Sequence, residues 1–269
     1  MQGEVFTLTR RSSPLLLNQP HVGLEVPASI ERRLTEAAKA LPDTDWHIDR
    51  LYRDMAETLD ATVLTARFSR YVIDLNRDPK GVSLYPGQSV TELCPTTLFD
   101  NGRLYQDGLE PDIEEIETRH GVFWQPYHDV LAEEIERIKA KHGYVLLYDC
   151  HSIRSVIPRF FDGRLPTLNI GTGDGISADP VLTQAVEKIA AASPYSHAVN
   201  GRFKGGYITR HYGDPAANIH ALQMELTQED YMMESPPYSY LPDKAAALQS
   251  TLIVILKTLL DFGRNRIAT

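Results

Sequence analysis

Tyr144-Val145-Leu146-Leu147-Tyr148-Asp149-Cys150-His151-Ser152 is the stretch on which the fold turns. Its first five residues form a short, continuous apolar run, as expected of a strand buried on both faces of a sheet. The run leads straight into residues with chemistry, and in open α/β sheets sites collect where strands end. Side chains alternate along a strand, so Asp149 and His151 share a face while Cys150 points away. That disfavours a Cys150–His151 nucleophile pair. It favours His151 as a metal ligand or base, with Asp149 orienting a neighbouring group.

Similar runs recur on either side. Leu15 to Leu17, Thr62 to Ala66, Tyr71 to Leu75, Thr167 to Ile170 and His220 to Leu226 read as strands. Amphipathic helical stretches fall between and beyond them, at Ala28 to Ala40, Asp45 to Leu59, Asp112 to Lys141, Pro180 to Ala192 and Lys244 to Phe262. The alternation predicts an α/β fold, a mixed central sheet with helices on both faces, formed as one domain over residues 1–269. Asp78 to Gly108 lacks periodicity and reads as a loop covering that sheet.

Composition narrows the function. The 269 residues are 42% hydrophobic and 23% charged, with a net charge of −9. An acidic chain repels phosphate backbones, which argues against nucleic acid as a partner. It also repels a small dianion at long range, so recognition of carboxylates needs a local cluster of arginines. Two cysteines, Cys94 and Cys150, are too few for a disulfide framework and point to a reducing compartment. The opening MQGEVFTLTRRSS has no signal-peptide core, and no continuous apolar run approaches the ~20 residues that span a bilayer. The expectation is a soluble cytoplasmic protein with no membrane partner; a homo-oligomer is left open.

Strand ends hold the other candidates. Leu15-Leu16-Leu17 runs through Asn18, Gln19 and Pro20 into His21-Val22-Gly23, where Gly23 leaves space for a ligand; a histidine bonded to loop backbone is the plainer alternative. Two histidines at separate strand ends suggest a metal site. A catalytic zinc usually takes three protein ligands, often two histidines and a carboxylate. Glu25, Asp45 and Asp49 are the carboxylates near His21. Asp45 and Asp49 lie four apart on one helical face, yet Asp49 has an i,i+4 partner in Arg53 and Asp45 suits a helix N-cap. Arg70 and Arg77 bracket the Tyr71–Leu75 run, and the planar fork of Arg77 suits a carboxylate, with a surface pair to Asp78 as the alternative. In His220–Leu226, Glu225 stands among apolar residues, where carboxylates are rare without a partner or a task; otherwise it marks a solvated edge. Asn200 to His211 concentrates glycines and bases, Arg202 and Arg210 among them, and suits an anion-binding loop or a surface hairpin.

Seven stretches in order resemble the N-formylglutamate amidohydrolase family over nearly the whole chain. They are PHVGLEVP (20–27), DTDWHIDRLY (43–52), SRYVIDLNRDP (69–79), YDCHSIRS (148–155), LNIGTGDG (168–175), NGRFKGGYITRHYG (200–213) and HALQMELTQEDYM (220–232). The 43–52 and 200–213 stretches resemble the deformylase of histidine breakdown. The resemblance implies a zinc carboxypeptidase-like architecture, similar also to aspartoacylases and succinylglutamate desuccinylases. It implies hydrolysis of N-formyl-L-glutamate with one divalent metal ion, zinc by preference. On that likeness His21 and His151 are metal ligands, Asn76 and Arg77 bind the substrate carboxylate, and Glu225 is the catalytic glutamate. A second arginine, from Arg70, Arg154, Arg202 or Arg210, reads the other carboxylate. Carboxypeptidase-like enzymes place a glutamate ligand three residues after the first histidine, where this chain has Leu24. The expected substitute is Asp49, ahead of Glu25 and Asp45. The competing readings are a zinc deacylase of another N-acyl acidic amino acid, a metallocarboxypeptidase, and a non-catalytic protein that binds an acidic metabolite.

Overall fold

The computed structural model describes residues 4–81 and 90–267, without the side chains of 266 and 267. In chain order the elements are β1 (Phe6–Thr9), β2 (Leu15–Gln19), α1 (Ala28–Glu31), α2 (Glu36–Lys39), α3 (Ile48–Thr58), β3 (Thr62–Ala66) and α4 (Ile113–Arg119). A π turn (His120–Trp124) joins α4 to α5 (Gln125–His142). Then come β4 (Val145–Ile153), β5 (Leu168–Gly171), α6 (Pro180–Ala192), β6 (His197–Val199), α7 (Tyr207–Tyr212), β7 (Ile219–Thr227) and α8 (Pro242–Ile267).

The strands form one mixed sheet in the order β1-β3-β2-β4-β7-β5-β6. Its centre, β3-β2-β4-β7, is parallel, and β1 and β5 each pair antiparallel with their inner neighbours. Every residue of β2, β4 and β7 is buried. Alternation then assigns the faces. Tyr148, Cys150, Leu222 and Met224 pack with Ile48, Leu51 and Met55 of α3, Val186 of α6 and Leu252 of α8. Leu147, Val145 and Ala221 pack on the other side with Leu131, Ile135 and Ile138 of α5. Helices therefore cover both faces, and full burial of each Leu or Ile contributes about 1.5–3 kcal/mol. Both cysteines are buried and free.

The structure alters several expectations. Tyr71–Leu75 is a run of turns rather than a strand, with the Val72 N–H bonded to Ser69 O and the Arg77 N–H to Asp74 O. The stretch 28–40 breaks into α1 and α2 because Thr35 leaves the helix and caps the Ala38 N–H. The helix expected from Asp45 begins at Ile48, because His47 takes a left-handed conformation at φ 62°. Residues 242–265 of α8 meet the length and hydropathy for a bilayer span, although no apolar run there is continuous. Their Leu248, Leu252, Ile255, Leu256 and Leu259 form one buried stripe, as in the core helix of a globular protein. The covering loop of 78–108 sends Phe99 toward the sheet rim; its residues 82–89 lie outside those described.

Candidate metal centre

The parallel centre of the sheet delivers three side chains to one rim. His21 follows β2, His151 lies near the end of β4, and Glu225 stands opposite His151 in the β4–β7 register. Asp45 comes from the turn between α2 and α3, where its N–H bonds to His21 O at 3.0 Å. One ligand atom each from His21, Asp45 and His151 lies within 4.8 Å of the others, and all three residues are buried.

Each donor is prepared by a neighbour. His21 Nε2 lies 2.7 Å from Asp74 Oδ1, while His21 Nδ1 is buried without a hydrogen-bond partner. Burial and the Arg70 charge push the His21 pKa down, which keeps the ring neutral and the Nδ1 lone pair available. Burial opposes ionisation of Asp74, but Arg77, His21 and Arg70 outweigh it and hold the carboxyl well below its usual range. His151 Nε2 lies 3.1 Å from Asp149 Oδ2, and its Nδ1 lies 3.1 Å from Asp45 Oδ2. Burial pulls the His151 pKa down, yet Asp149 and Asp45 prevail and hold it well above the ordinary value. The cluster thus stabilises positive charge at this point. Asp45 Oδ2 also accepts the Ser152 N–H at 3.2 Å, whereas Asp45 Oδ1 has no hydrogen-bond partner.

Two buried atoms without hydrogen-bond partners, an imidazole nitrogen and a carboxylate oxygen on neighbouring residues, fit a cation. Leaving such groups unpaired costs about 1–3 kcal/mol each, and a shared metal bond removes that cost. Carboxylates on the far nitrogens of both histidines complete the usual environment of metal-bound imidazoles.

The expected ligand Asp49 is not part of this centre. It is exposed on α3, beside Arg11 and Arg53, because the left-handed turn at His47 separates it from the rim. Glu25 is also exposed and pairs with Arg67, 2.9 Å from its Nε. Gly23 serves a purpose other than ligand space: a Cβ there would lie 2.2 Å from Phe68 O.

A cavity beside the three donors is lined by Arg70, Asn76, Arg77, Arg202 and Glu225. Arg70 donates to Asp74 Oδ2 at 2.7 Å and lies over the Phe99 ring. Arg77 is braced by Thr91, whose carbonyl accepts from Nε at 3.0 Å and whose hydroxyl accepts from Nη2 at 2.9 Å. Asn76 accepts the Ile208 N–H at 2.8 Å and brings Nδ2 to 3.0 Å from His151 Nε2. Arg202 lies over the Phe160 and Phe203 rings. Glu225 accepts from Gln223 Nε2 at 3.1 Å, and burial together with Asp45 and Asp149, against the pull of His151 and Arg70, takes its pKa up to about 8. The other two arginines go elsewhere. Arg154 donates to buried Asp43 at 3.0 Å, and Arg210 donates to Gly205 O at 2.8 Å, turned along α7.

Residue-type reasoning passed over Asp74, Gln223 and the rim aromatics Phe99, Phe160 and Phe203. For Asp74 a signal existed, a lone carboxylate within an apolar run. The aromatics come from three separate loops and leave no pattern.

A family model described as N-formylglutamate amidohydrolase matches residues 13–232. An N-formylglutamate deformylase from Pseudomonas aeruginosa is 49% identical over 266 residues, covering 98% of this chain and 99% of that protein. One from Pseudomonas putida is 49% identical over 254 residues, 94% of each. Among solved structures, an N-formylglutamate amidohydrolase from Ralstonia eutropha superposes with a TM-score of 0.81 at 24% identity, covering 97% of this chain and 98% of that one. A gene product of Agrobacterium tumefaciens does so at 0.74 and 19%, covering 99% and 97%. At those identities the superpositions speak to the fold.

Proposed function

This chain belongs to the N-formylglutamate amidohydrolase family, and from that premise we propose that it hydrolyses N-formyl-L-glutamate to formate and L-glutamate with one divalent metal ion held by His21, Asp45 and His151. Two imidazoles and a carboxylate make zinc the preferred ion. The observation that carries the metal reading is the pair of unpartnered buried atoms, His21 Nδ1 and Asp45 Oδ1, converging beside His151.

A metal ion bound there would supply the Lewis acidity that activates water and polarises a carbonyl. Glu225 accepts the proton of the attacking water and returns it to the departing amine nitrogen. Burial, which raises its pKa, makes the carboxylate a stronger proton acceptor. Arg70, buried against Asp74 and near Asp45, stabilises the negative oxygen of the tetrahedral intermediate. Arg77 holds the α-carboxylate, with Asn76 fixing the segment that carries it. Arg202 holds the γ-carboxylate. Anchoring both ends leaves the amide little freedom, and much of the rate advantage comes from that.

Formate release from N-formyl-L-glutamate, measured before and after chelation and then with added zinc, tests the metal. Activity should vanish and return; full activity in protein shown to be metal-free would overturn the reading. Glu225→Gln should keep the fold and metal while kcat falls about 10²- to 10⁴-fold. If it keeps more than half of the wild-type kcat, Glu225 is not the proton carrier.

A further inference from the structure

Between α4 and α5 the helix widens into the π turn His120–Trp124. A π turn inserts a residue into a helix, re-aims the side chains around it and occurs frequently at functional sites. Here it brings Trp124 and His128 into a stack with ring centroids 3.7 Å apart. Both rings donate to one irregular segment. Trp124 Nε1–H donates to Arg77 O at 3.3 Å, and His128 Nε2 lies 2.8 Å from Leu75 O. These carbonyls flank Asn76. The Tyr212 hydroxyl lies 2.9 Å from His128 Nδ1, which suits the tautomer with its proton on Nε2. From the opposite side Gly206 packs so closely that a Cβ would lie 2.3 Å from Asn76 Nδ2, and the Ile208 N–H holds Asn76 Oδ1.

We propose that the π turn is a positioning device: Trp124 and His128, neither of which lines the cavity, fix residues 75–77 so that Arg77 presents its guanidinium to a substrate carboxylate. The inference rests on the reading of Arg77 given above. Buried carbonyls of an irregular segment need partners in any case. A partner that only satisfied them would affect stability and leave substrate affinity untouched, and this difference is measurable.

Trp124→Phe keeps an aromatic ring, smaller than the indole, and removes the N–H. His128→Leu removes the donor, whereas His128→Gln places an amide N–H near the position of Nε2. Losing one such bond should raise KM for N-formyl-L-glutamate about 3- to 10-fold in Trp124→Phe and His128→Leu. Metal content should be unchanged and kcat within about threefold, and His128→Gln should restore KM. Hydrogen exchange in a peptide spanning residues 73–80 should speed up in the first two variants and not in the third. Arg77→Ala, measured alongside, separates the two ideas. If it leaves KM unchanged, the reading of Arg77 fails, and the exchange data alone then decide whether the rings hold the segment. If Arg77→Ala raises KM but Trp124→Phe and His128→Leu do not, or His128→Gln behaves as His128→Leu, the positioning role is overturned.

Discussion

Asp45 Oδ1 and His21 Nδ1 are the atoms on which the proposed metal centre depends, since each is buried and has no hydrogen-bond partner. Asp45→Asn keeps the shape but loses the charge, and should cost most of the metal affinity. Asp49→Ala, on the exposed side of α3, should leave metal content and kcat near wild type. Asp74→Asn, which touches His21 at its other nitrogen, should lower metal affinity or activity about 10- to 100-fold. Metal stoichiometry after dialysis against a weak chelator ranks the three; a metal-free Asp49→Ala beside a metal-loaded Asp45→Asn would reverse the assignment. Sequence suggests both histidines because each follows a visible strand. The carboxylate that lies beside them is Asp45 and not the expected Asp49, because i,i+4 spacing assumes a helix already begun at Asp45, and one positive φ at His47 breaks that assumption.

At the scale of elements, strands with continuous apolar runs and helices with clear caps are legible in the chain. α6 is the clearest, opened by Asp179 bonding the Val181 N–H and by Pro180 in its first turn. Tyr71–Leu75 misleads because Val72 and Ile73 are core residues of an irregular segment, where local polar bonds replace a ladder. The π turn has no sequence mark either, yet its Trp124 stacks on buried His128. Burial pushes the His128 pKa down to about 3, the bond to Leu75 O and nearby Asp149 oppose the fall, and His211 and His120 add to it. Tyr212 and Tyr207 complete the surroundings. A folded pKa below the unfolded value of about 6.5 means the folded form binds fewer protons between the two. Stability from this residue is therefore full above pH ~6.5 and falls as the pH drops toward 3, by up to about 1.4 kcal/mol per pH unit. Urea unfolding of wild type and His128→Gln from pH 7 to 5 isolates the His128 share: the variant should show the shallower slope, and identical slopes would mean that His128 titrates normally.

Across the whole molecule, charge is arranged against its own average. The chain carries −9, yet three arginines reach the cavity beside His21 and His151. At physiological salt the field is screened beyond about 8 Å, so a dianion that reaches the mouth is governed by those arginines and not by the total. Sequence shows five candidate arginines but not which three converge. That depends on where the loops after β4 and β6 lie over the sheet: Arg202 turns to the rim, whereas Arg154 turns to Asp43. The arrangement predicts a strong preference for a substrate with two carboxylates. N-formyl-L-glutamine has nearly the same shape but a neutral end, so binding it would leave a guanidinium without its anion. Loss of a buried charge-assisted contact of that kind costs about 2–5 kcal/mol, or roughly 30- to several-thousand-fold in kcat/KM. Arg77→Ala should impair both substrates, because the α-carboxylate is common to them. Arg202→Ala should impair formylglutamate far more than formylglutamine and so narrow the gap between them. If Arg202→Ala slows both equally, the guanidinium serves the cavity wall through Phe160 and Phe203, and the γ-carboxylate is read by Arg70. Comparable kcat/KM for the two substrates in the unmutated protein would mean that no arginine reads the second carboxylate, and that the acidic average of the chain, not its basic cavity, sets what it accepts.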